Sequence, residues 1–293
     1  MITHLNLKGA DGIDLHAAVA GESGPVVLFL HGFPEFWAAW HRQLPVFAHG
    51  RRAVALDLPG YNESSKPGAT GRYTLAAIAE DISCVLHHLC SDRKAVLVGH
   101  DWGGLVGWAL ARRAPHLLER MVIINAPHPT LFWRELTRNP RQWFSSLYAG
   151  CFQVRGVAEL ALRFCDHALL RALLFGTCRK PEAFDPTLRA AYQAAWKAPG
   201  GLRAQLSYYR NLAAFRAEAR EAAAAAIRVP TLVLWGRRDP ALSPRCLAGL
   251  HALVCDVRIE QHPRATHWVV HEEPEWVNAQ ISAFLEEPLN GVA

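Results

Sequence analysis

The chain has no long apolar segment, no cysteine pair with metal-ligand spacing and no run of basic residues. A membrane-spanning helix needs about 20 consecutive apolar residues, so we expect no membrane span. The seven cysteines are scattered, odd in number and never arranged as Cys-x-x-Cys, which disfavours a disulfide framework and a zinc site. The N-terminal residues show no basic segment followed by an apolar one, so we expect a cytoplasmic protein without a signal peptide.

The charge balance limits the function classes further. The formal net charge is +5, and residues 131–220 carry 14 Lys/Arg against 6 Asp/Glu. These charges are spaced singly along helical patterns, so solvated helix faces explain them better than a nucleic-acid site. The chain has neither an internal repeat nor a glycine-rich phosphate loop. A hydrophobic content of 51% with 19% charged residues is typical of a globular protein with a large core.

Predicted strands and helices alternate along most of the chain. Strands are predicted at residues 3–7, 13–19, 25–30, 52–56, 95–98, 121–124, 230–235 and 256–260, the first two as a hairpin. Helices are predicted from Thr74, after the strand at 95–98, and from Pro274 to Glu286. This alternation predicts an α/β fold with a doubly wound, mostly parallel sheet. Between 131 and 220 only helical patterns occur, so we predict a core at 1–130 and 221–293 interrupted by an all-helical lid at 131–220.

The segment from Ala95 to Leu110 is the most informative part of the chain. A short apolar strand ends at Gly99, Asp101 occupies the apex of a tight turn, and Gly103 lies at the start of a buried helix. Glycine on both sides of the apex allows strand and helix to approach closely. The spacing is that of the Gly-x-Ser-x-Gly nucleophile elbow, with aspartate in place of serine. The alternative is that Asp101 is only a helix N-cap.

Two more ionisable residues, Asp239 and His267, follow the ends of predicted strands. Such ends line the ligand crevice of an open α/β sheet, and the order nucleophile, acid, histidine is that of the elbow-type hydrolase triad. Taken alone, Asp239 is also compatible with a turn cap before Pro240, and His267 with a loop histidine. His271 follows His267 by four residues, but no third ligand accompanies the pair, so we expect no metal. Three other histidines are predicted to be structural: His31, His100 and His128.

With these residues the chain resembles the epoxide hydrolase family of the α/β-hydrolase fold over essentially its whole length. The resemblance rests on His31-Gly32-Phe33-Pro34-Glu35, Gly99-His100-Asp101-Trp102-Gly103-Gly104, Asp239 and His267-Trp268. Haloalkane dehalogenases share the aspartate elbow followed by tryptophan, so a haloalkane or haloacid dehalogenase is the alternative function. The leaving groups differ, because an epoxide oxygen needs a proton source whereas a halide needs only N–H donors. A catalytically inactive ligand-binding protein is a third alternative, which the intact triad disfavours.

The lid sequence separates the two enzyme families. The segment containing Asn139-Pro140, Leu147-Tyr148 and Cys151-Phe152-Gln153 resembles the epoxide hydrolase segment that carries the first ring-opening tyrosine, which corresponds to Tyr148. Ser207-Tyr208-Tyr209-Arg210-Asn211 is similar to the segment that carries the second, which corresponds to Tyr209. Tyr208 is the rival for that second role. The alternative for each tyrosine is an aromatic side chain that only packs the lid.

The resemblance implies that an epoxide is converted to a vicinal diol through an ester on Asp101, without cofactor or metal. A carboxylate suits this reaction because its ester can be hydrolysed, whereas a serine would form a stable ether. His267, oriented by Asp239, is expected to activate water, and the backbone N–H groups of Phe33 and Trp102 to hold the oxyanion. The family also implies a cis peptide bond after Phe33. The expected partner is a small-molecule epoxide, neither nucleic acid nor membrane, and the expected assembly is a monomer or homodimer.

Overall fold

The computed structural model describes residues 1–90 and 93–288, and an eight-stranded sheet forms its centre. The strands are β1 (Ile2–Lys8), β2 (Asp14–Ala20), β3 (Val26–Leu30), β4 (Arg52–Leu56), β5 (Ala95–His100), β6 (Leu118–Ile124), β7 (Thr231–Gly236) and β8 (Val257–His262). Their order across the sheet is β1-β2-β4-β3-β5-β6-β7-β8. The pairs β1–β2 and β2–β4 are antiparallel, and all other neighbours are parallel. The predicted α/β fold with a mostly parallel sheet is confirmed.

In the described part of the chain, five α-helices pack on the two faces of this sheet. They are α1 (Leu44–Phe47), α2 (Leu75–Cys90), α3 (Trp102–Arg113) and, near the C-terminus, α11 (Val269–Glu272) and α12 (Pro274–Glu286). Thr74 caps α2 as predicted, because its hydroxyl accepts the backbone N–H of Ala77 at 3.3 Å. The final residues of the predicted core, 289–293, lie outside the described part of the chain.

A helical segment lies between β6 and β7. Its helices extend over residues 129–221, slightly beyond the predicted 131–220, and we call residues 129–221 the lid from here on. Its helices are α4 (Pro129–Arg138), α5 (Pro140–Ser145), α6 (Leu147–Cys151), α7 (Val157–Thr177), α8 (Pro186–Trp196), α9 (Gly201–Tyr209) and α10 (Leu212–Glu221). A kink at residues 164–167 interrupts α7, where three consecutive residues have φ between 49° and 60°. Within the described ranges, no helix combines the length and the apolar character needed to cross a bilayer.

The central strands are buried on both faces, as continuous apolar runs in parallel sheets require. Alternate residues of β3 point to opposite sides, so Leu28 joins the core cluster shared with α2 and α3, while Phe29 joins the cluster shared with α1 and α12. Both side chains are fully buried. The sheet is therefore a rigid layer whose strand ends hold the loops of the site in place.

Close backbone contacts shape the bend between β5 and α3. A Cβ atom at Gly99 would lie 2.5 Å from the carbonyl oxygen of Gly103, and one at Gly103 would lie 2.1 Å from the carbonyl oxygen of Leu30. Neither distance is compatible with a side chain, so glycine is required at both positions. The bend can therefore form only because strand and helix meet without intervening Cβ atoms.

We predict that Gly103→Ala lowers the free energy of unfolding by at least about 2 kcal/mol, because the added methyl group must displace packed backbone. The matched control is Gly176→Ala, at an exposed helical position with no atom within 4 Å of the added Cβ. That change should leave stability unchanged or raise it by up to about 1 kcal/mol. Chemical denaturation of both variants checks the prediction, and equal stability changes would contradict it.

Candidate active site

Asp101 lies at the bend between β5 and α3, at the carboxyl end of the central strands. It occupies the N-cap position of α3 with φ 49°, but its side chain makes no capping hydrogen bond. The carboxylate instead accepts the backbone N–H of Phe33 on Oδ2 at 2.9 Å. Burial raises the pKa of Asp101, and the nearby His267 and His100 together with backbone N–H groups oppose that shift. The N-cap alternative therefore does not describe the contacts of this side chain.

The structure brings Asp239 and His267 next to Asp101. His267 Nδ1 lies 2.7 Å from Asp239 Oδ2, and His267 Nε2 lies 3.9 Å from Asp101 Oδ1. The first distance is a strong hydrogen bond, and the second is too long for one. Burial disfavours the charged imidazolium, but Asp239 and then Asp101 more than compensate and raise the pKa of His267 to about 9. The two carboxylates therefore favour the protonated imidazole for as long as Asp101 carries its charge.

A tight turn holds the Asp239 carboxylate in place. Oδ1 accepts the backbone N–H groups of Ala241 and Leu242, both at 2.8 Å, and Oδ2 accepts Asn125 Nδ2 at 2.7 Å. Asn125 Oδ1 accepts the backbone N–H of Gly236 at 2.8 Å. Asp239 therefore has a fixed orientation toward His267, and Asn125 connects it to the end of β6.

A second buried network lies behind His267. Glu35 contacts His100 Nδ1 at 2.9 Å and His271 Nε2 at 2.7 Å, and all three side chains are fully enclosed. Burial alone would raise the pKa of Glu35, but the hydrogen bonds from His100 and His271 hold it far below its usual range. His100 Nε2 donates to the backbone carbonyl of His267 at 2.9 Å. The network thus fixes the loop that carries His267.

Two of the predicted structural histidines have protein partners. His31 accepts the N–H of Leu58 on Nε2 at 3.1 Å, and His100 belongs to the Glu35 network. His128 is buried without a hydrogen-bond partner in the described part of the chain, and burial lowers its pKa to about 4. The structure places His271 against Glu35. Within residues 1–90 and 93–288, no three His, Cys, Asp or Glu side chains form a metal-binding group.

A cavity of about 400 Å³ connects Asp101 to the lid. Tyr148 and Tyr209 both line it, with ring centroids 5.9 Å apart. Tyr209 also packs edge-on against Phe33 at 5.4 Å and Trp102 at 5.1 Å, which places it over the bend. Tyr208 also lines this cavity. Most of the remaining wall is apolar and includes Trp102, Leu105, Pro127, Phe132, Trp133, Leu136, Trp143, Leu147, Leu212, Phe215 and Leu242.

The lid tyrosines differ in how their hydroxyl groups are engaged. Desolvation raises the pKa of Tyr148 and that of Tyr209, and the charge of Asp101 adds to both shifts. Tyr148 is 40% exposed, so its ring lies at the cavity mouth while its hydroxyl is desolvated. Tyr208 is buried, and its hydroxyl donates to the carbonyl of Pro59 at 2.8 Å. The rival tyrosine therefore has its donor committed to the backbone.

Comparison with known proteins connects this geometry to a family. An α/β hydrolase fold model matches residues 25–274. Epoxide hydrolase 4 of Mus musculus is 34% identical, and the match covers 97% of this chain and 80% of that protein. Epoxide hydrolase 2 of Caenorhabditis elegans is also 34% identical, and the match covers 94% of this chain and 78% of that protein. A solved epoxide hydrolase from Bacillus megaterium, in complex with an inhibitor, matches with a TM-score of 0.89 at 33% identity, covering 97% of this chain and 100% of that one.

The chain belongs to the epoxide hydrolases of the α/β-hydrolase fold. The family and the activity predicted from the sequence motifs are confirmed. The lid of this epoxide hydrolase carries Tyr148 and Tyr209, and both line the cavity that contains Asp101.

Three buried polar residues of this epoxide hydrolase support the site without a role predicted from the sequence: Glu35, Asn125 and Gln142. Glu35 lies within the motif that begins at His31, whereas Asn125 and Gln142 belong to none of the motifs. Gln142 Nε2 donates to the carbonyl of Ala241 at 2.8 Å, and Gln142 Oε1 accepts the N–H of Ser243 at 2.8 Å, so it ties α5 to the turn that holds Asp239. For Asn125, a polar residue directly after an apolar strand was an available signal. For Gln142 no local signal existed, because both partners are about a hundred residues away.

The His267 pKa predicts a pH-dependent stability. A group whose pKa is raised from 6.5 to about 9 on folding stabilises the native state fully below pH 6.5, and this contribution is lost as pH rises toward 9. We therefore expect the free energy of unfolding of the wild type to fall between pH 6.5 and 9 more steeply than that of His267→Gln. Denaturation at several pH values measures both slopes, and parallel slopes would contradict the prediction.

Proposed function

We propose that this epoxide hydrolase works through a covalent alkyl ester on Asp101, which water activated by His267 then hydrolyses. The observation that carries the proposal is that the Asp101 carboxylate and the phenols of Tyr148 and Tyr209 line one cavity. A nucleophile on one side and proton donors on the other are what ring opening requires. The largely apolar wall favours a small lipophilic epoxide as substrate.

In the first step an Asp101 oxygen attacks an epoxide carbon. Oδ2 is held by the N–H of Phe33, so we assign the attack to Oδ1. The new bond joins Oδ1 to carbon while the carbon–oxygen bond of the ring breaks, and its electron pair goes to the epoxide oxygen. Tyr148 and Tyr209 donate hydrogen bonds to that oxygen, and one of them transfers a proton to it. Their raised pKa values keep both phenols protonated until negative charge develops.

In the second step water attacks the carbonyl carbon of the ester. Formation of the ester removes the negative charge of Asp101, which is one of the causes of the raised His267 pKa. His267 is then more readily neutral and can accept a proton from water, while Asp239 stabilises the resulting imidazolium. Oδ2, already at the N–H of Phe33, becomes the oxyanion, with Trp102 N–H as the proposed second donor. Collapse breaks the bond between the carboxyl carbon and Oδ1, and His267 gives the proton it took from water to the departing oxygen. The second proton of the water returns to the tyrosinate, so the diol is released and the carboxylate and both phenols are restored.

We predict that His267→Gln accumulates alkylated Asp101, because ring opening does not need the base whereas ester hydrolysis does. Intact mass after mixing with styrene oxide should show one added substrate mass, and the exposed His251→Gln should show none at steady state. In wild type, a single turnover in ¹⁸O water should place the label in Asp101. Label found only in the diol would exclude the ester route.

We predict that Tyr148→Phe and Tyr209→Phe each slow ester formation about 10²-fold, since each removes one donor to the departing oxygen. Tyr208→Phe is the matched control, because its hydroxyl is already bonded to Pro59. That variant should retain nearly the wild-type rate of alkylation. Rapid-mixing measurements of ester formation compare the three, and a loss confined to Tyr208→Phe would reverse the assignment of Tyr208 and Tyr209.

A further inference from the structure

A second recess of about 470 Å³ lies at the seam between lid and core, lined by residues different from those of the cavity that contains Asp101. Gly68 and Thr70 form its core side, and helices α7 and α9 with the residues that flank them form its lid side. Four arginines and a single acidic residue, Glu159, line it. The arginines are Arg155, Arg163, Arg203 and Arg210.

The one carboxylate of the recess is already neutralised. Arg210 binds it in a bidentate manner, with Nη1 to Glu159 Oε1 at 2.7 Å and Nη2 to Oε2 at 3.1 Å. Glu159 Oε2 also accepts the N–H of Gly156 at 2.8 Å, and Arg210 Nε donates to the carbonyl of Phe152 at 2.9 Å. This pair is therefore saturated and offers no negative charge to the other arginines.

Three guanidinium groups are left without a carboxylate partner among the residues that the structure describes. Arg203 Nη2 donates to the carbonyl of Gly68 at 2.9 Å, and Arg155 Nη2 lies 3.4 Å from Thr70 Oγ1. In the described ranges, the Arg163 side chain makes no hydrogen bond or ion pair with the protein. Most of their donors remain available, and like charges that share a recess repel each other unless an anion lies between them.

We propose that this recess binds the phosphate groups of an anionic ligand. Guanidinium groups match phosphate oxygens in bidentate geometry and are weakly hydrated, so they bind phosphate better than isolated ammonium groups do. Three positive charges suit a ligand with several negative charges, such as a diphosphate. The recess, of about 470 Å³, is large enough to hold a diphosphate. The proposal concerns Arg155, Arg163 and Arg203 and is independent of the reaction at Asp101.

Binding there stabilises the lid against the core. Arg203 belongs to α9, the helix that also carries Tyr209. Arg163 belongs to α7, and Arg155 lies two residues before the start of that helix. Direct links at this seam include the hydrogen bond from Asn211 Nδ2 to the carbonyl of Thr70 at 2.9 Å. An anion held by both helices beside the core loop adds bonds to these links. The ligand therefore restrains the helix that positions Tyr209.

The test is calorimetric titration of the full chain with pyrophosphate in phosphate-free buffer, without any epoxide. Arg163→Gln is the informative variant because that side chain has no protein partner to lose. Arg228→Gln is the matched control, an exposed arginine outside the recess. We expect saturable binding to the wild type, about tenfold weaker binding to Arg163→Gln, and unchanged binding to Arg228→Gln. Equal weakening by both variants would overturn the proposal.

A parallel arm distinguishes a free phosphate from a lipid headgroup. Three apolar side chains of α7 near Arg163 are 63–70% exposed, namely Val157, Leu160 and Phe164. Because such side chains can contact a lipid surface, binding to phosphatidylcholine vesicles with and without phosphatidylglycerol is compared by sedimentation. Binding that requires phosphatidylglycerol and is lost in Arg163→Gln assigns the site to a lipid phosphate. Binding of pyrophosphate alone assigns it to a free ligand. Absence of saturable binding to pyrophosphate and to phosphatidylglycerol vesicles refutes the site.

Discussion

The close approach of three backbone segments around Asp101 is the constraint on which the site depends. A Cβ atom at Gly103 would meet the carbonyl of Leu30, and one at Gly32 would lie 2.4 Å from Asp101 Oδ2. Asp101 itself has φ 49°, a conformation that costs a non-glycine residue about 1–3 kcal/mol. The buried strand before it and the buried helix after it hold it there. The carboxylate therefore projects into the cavity instead of capping the helix.

Buried ionisable groups joined by hydrogen bonds surround that bend and depend on each other. His267 lies between Asp239 and Asp101, and Glu35 lies between His100 and His271. A buried charge that loses its partner costs several kcal/mol, so each group is stable only with its neighbours in place. The hydrogen bond from His100 to the carbonyl of His267 joins the two groups. His267 and His100 thus oppose the effect of burial on the pKa of Asp101.

The lid has two chemically different surfaces. Its inner surface is apolar and presents the phenols of Tyr148 and Tyr209 to the cavity, where few competing polar groups are present. Its edge at the core seam is strongly basic and contains Arg155, Arg163 and Arg203. The short segment from Arg203 to Arg210 belongs to both, because Tyr209 faces the cavity while arginines on the same segment line the recess. A change at the seam can therefore reach the cavity through a single helix.

The sequence alone determined the sheet, the elbow and the candidate residues Asp101, Asp239 and His267, because strand periodicity, glycine spacing and strand-end position are local properties of the chain. The choice between Tyr208 and Tyr209 was not local. Neighbours on a helix point about 100° apart, so the packing of α9 against Pro59 decides which hydroxyl is free. Glu35 is likewise 236 residues from His271, and a hydrogen bond across that separation exists only once the sheet has assembled. Tertiary structure thus decided which polar groups meet, since burial makes each of them require a partner that sequence spacing cannot identify.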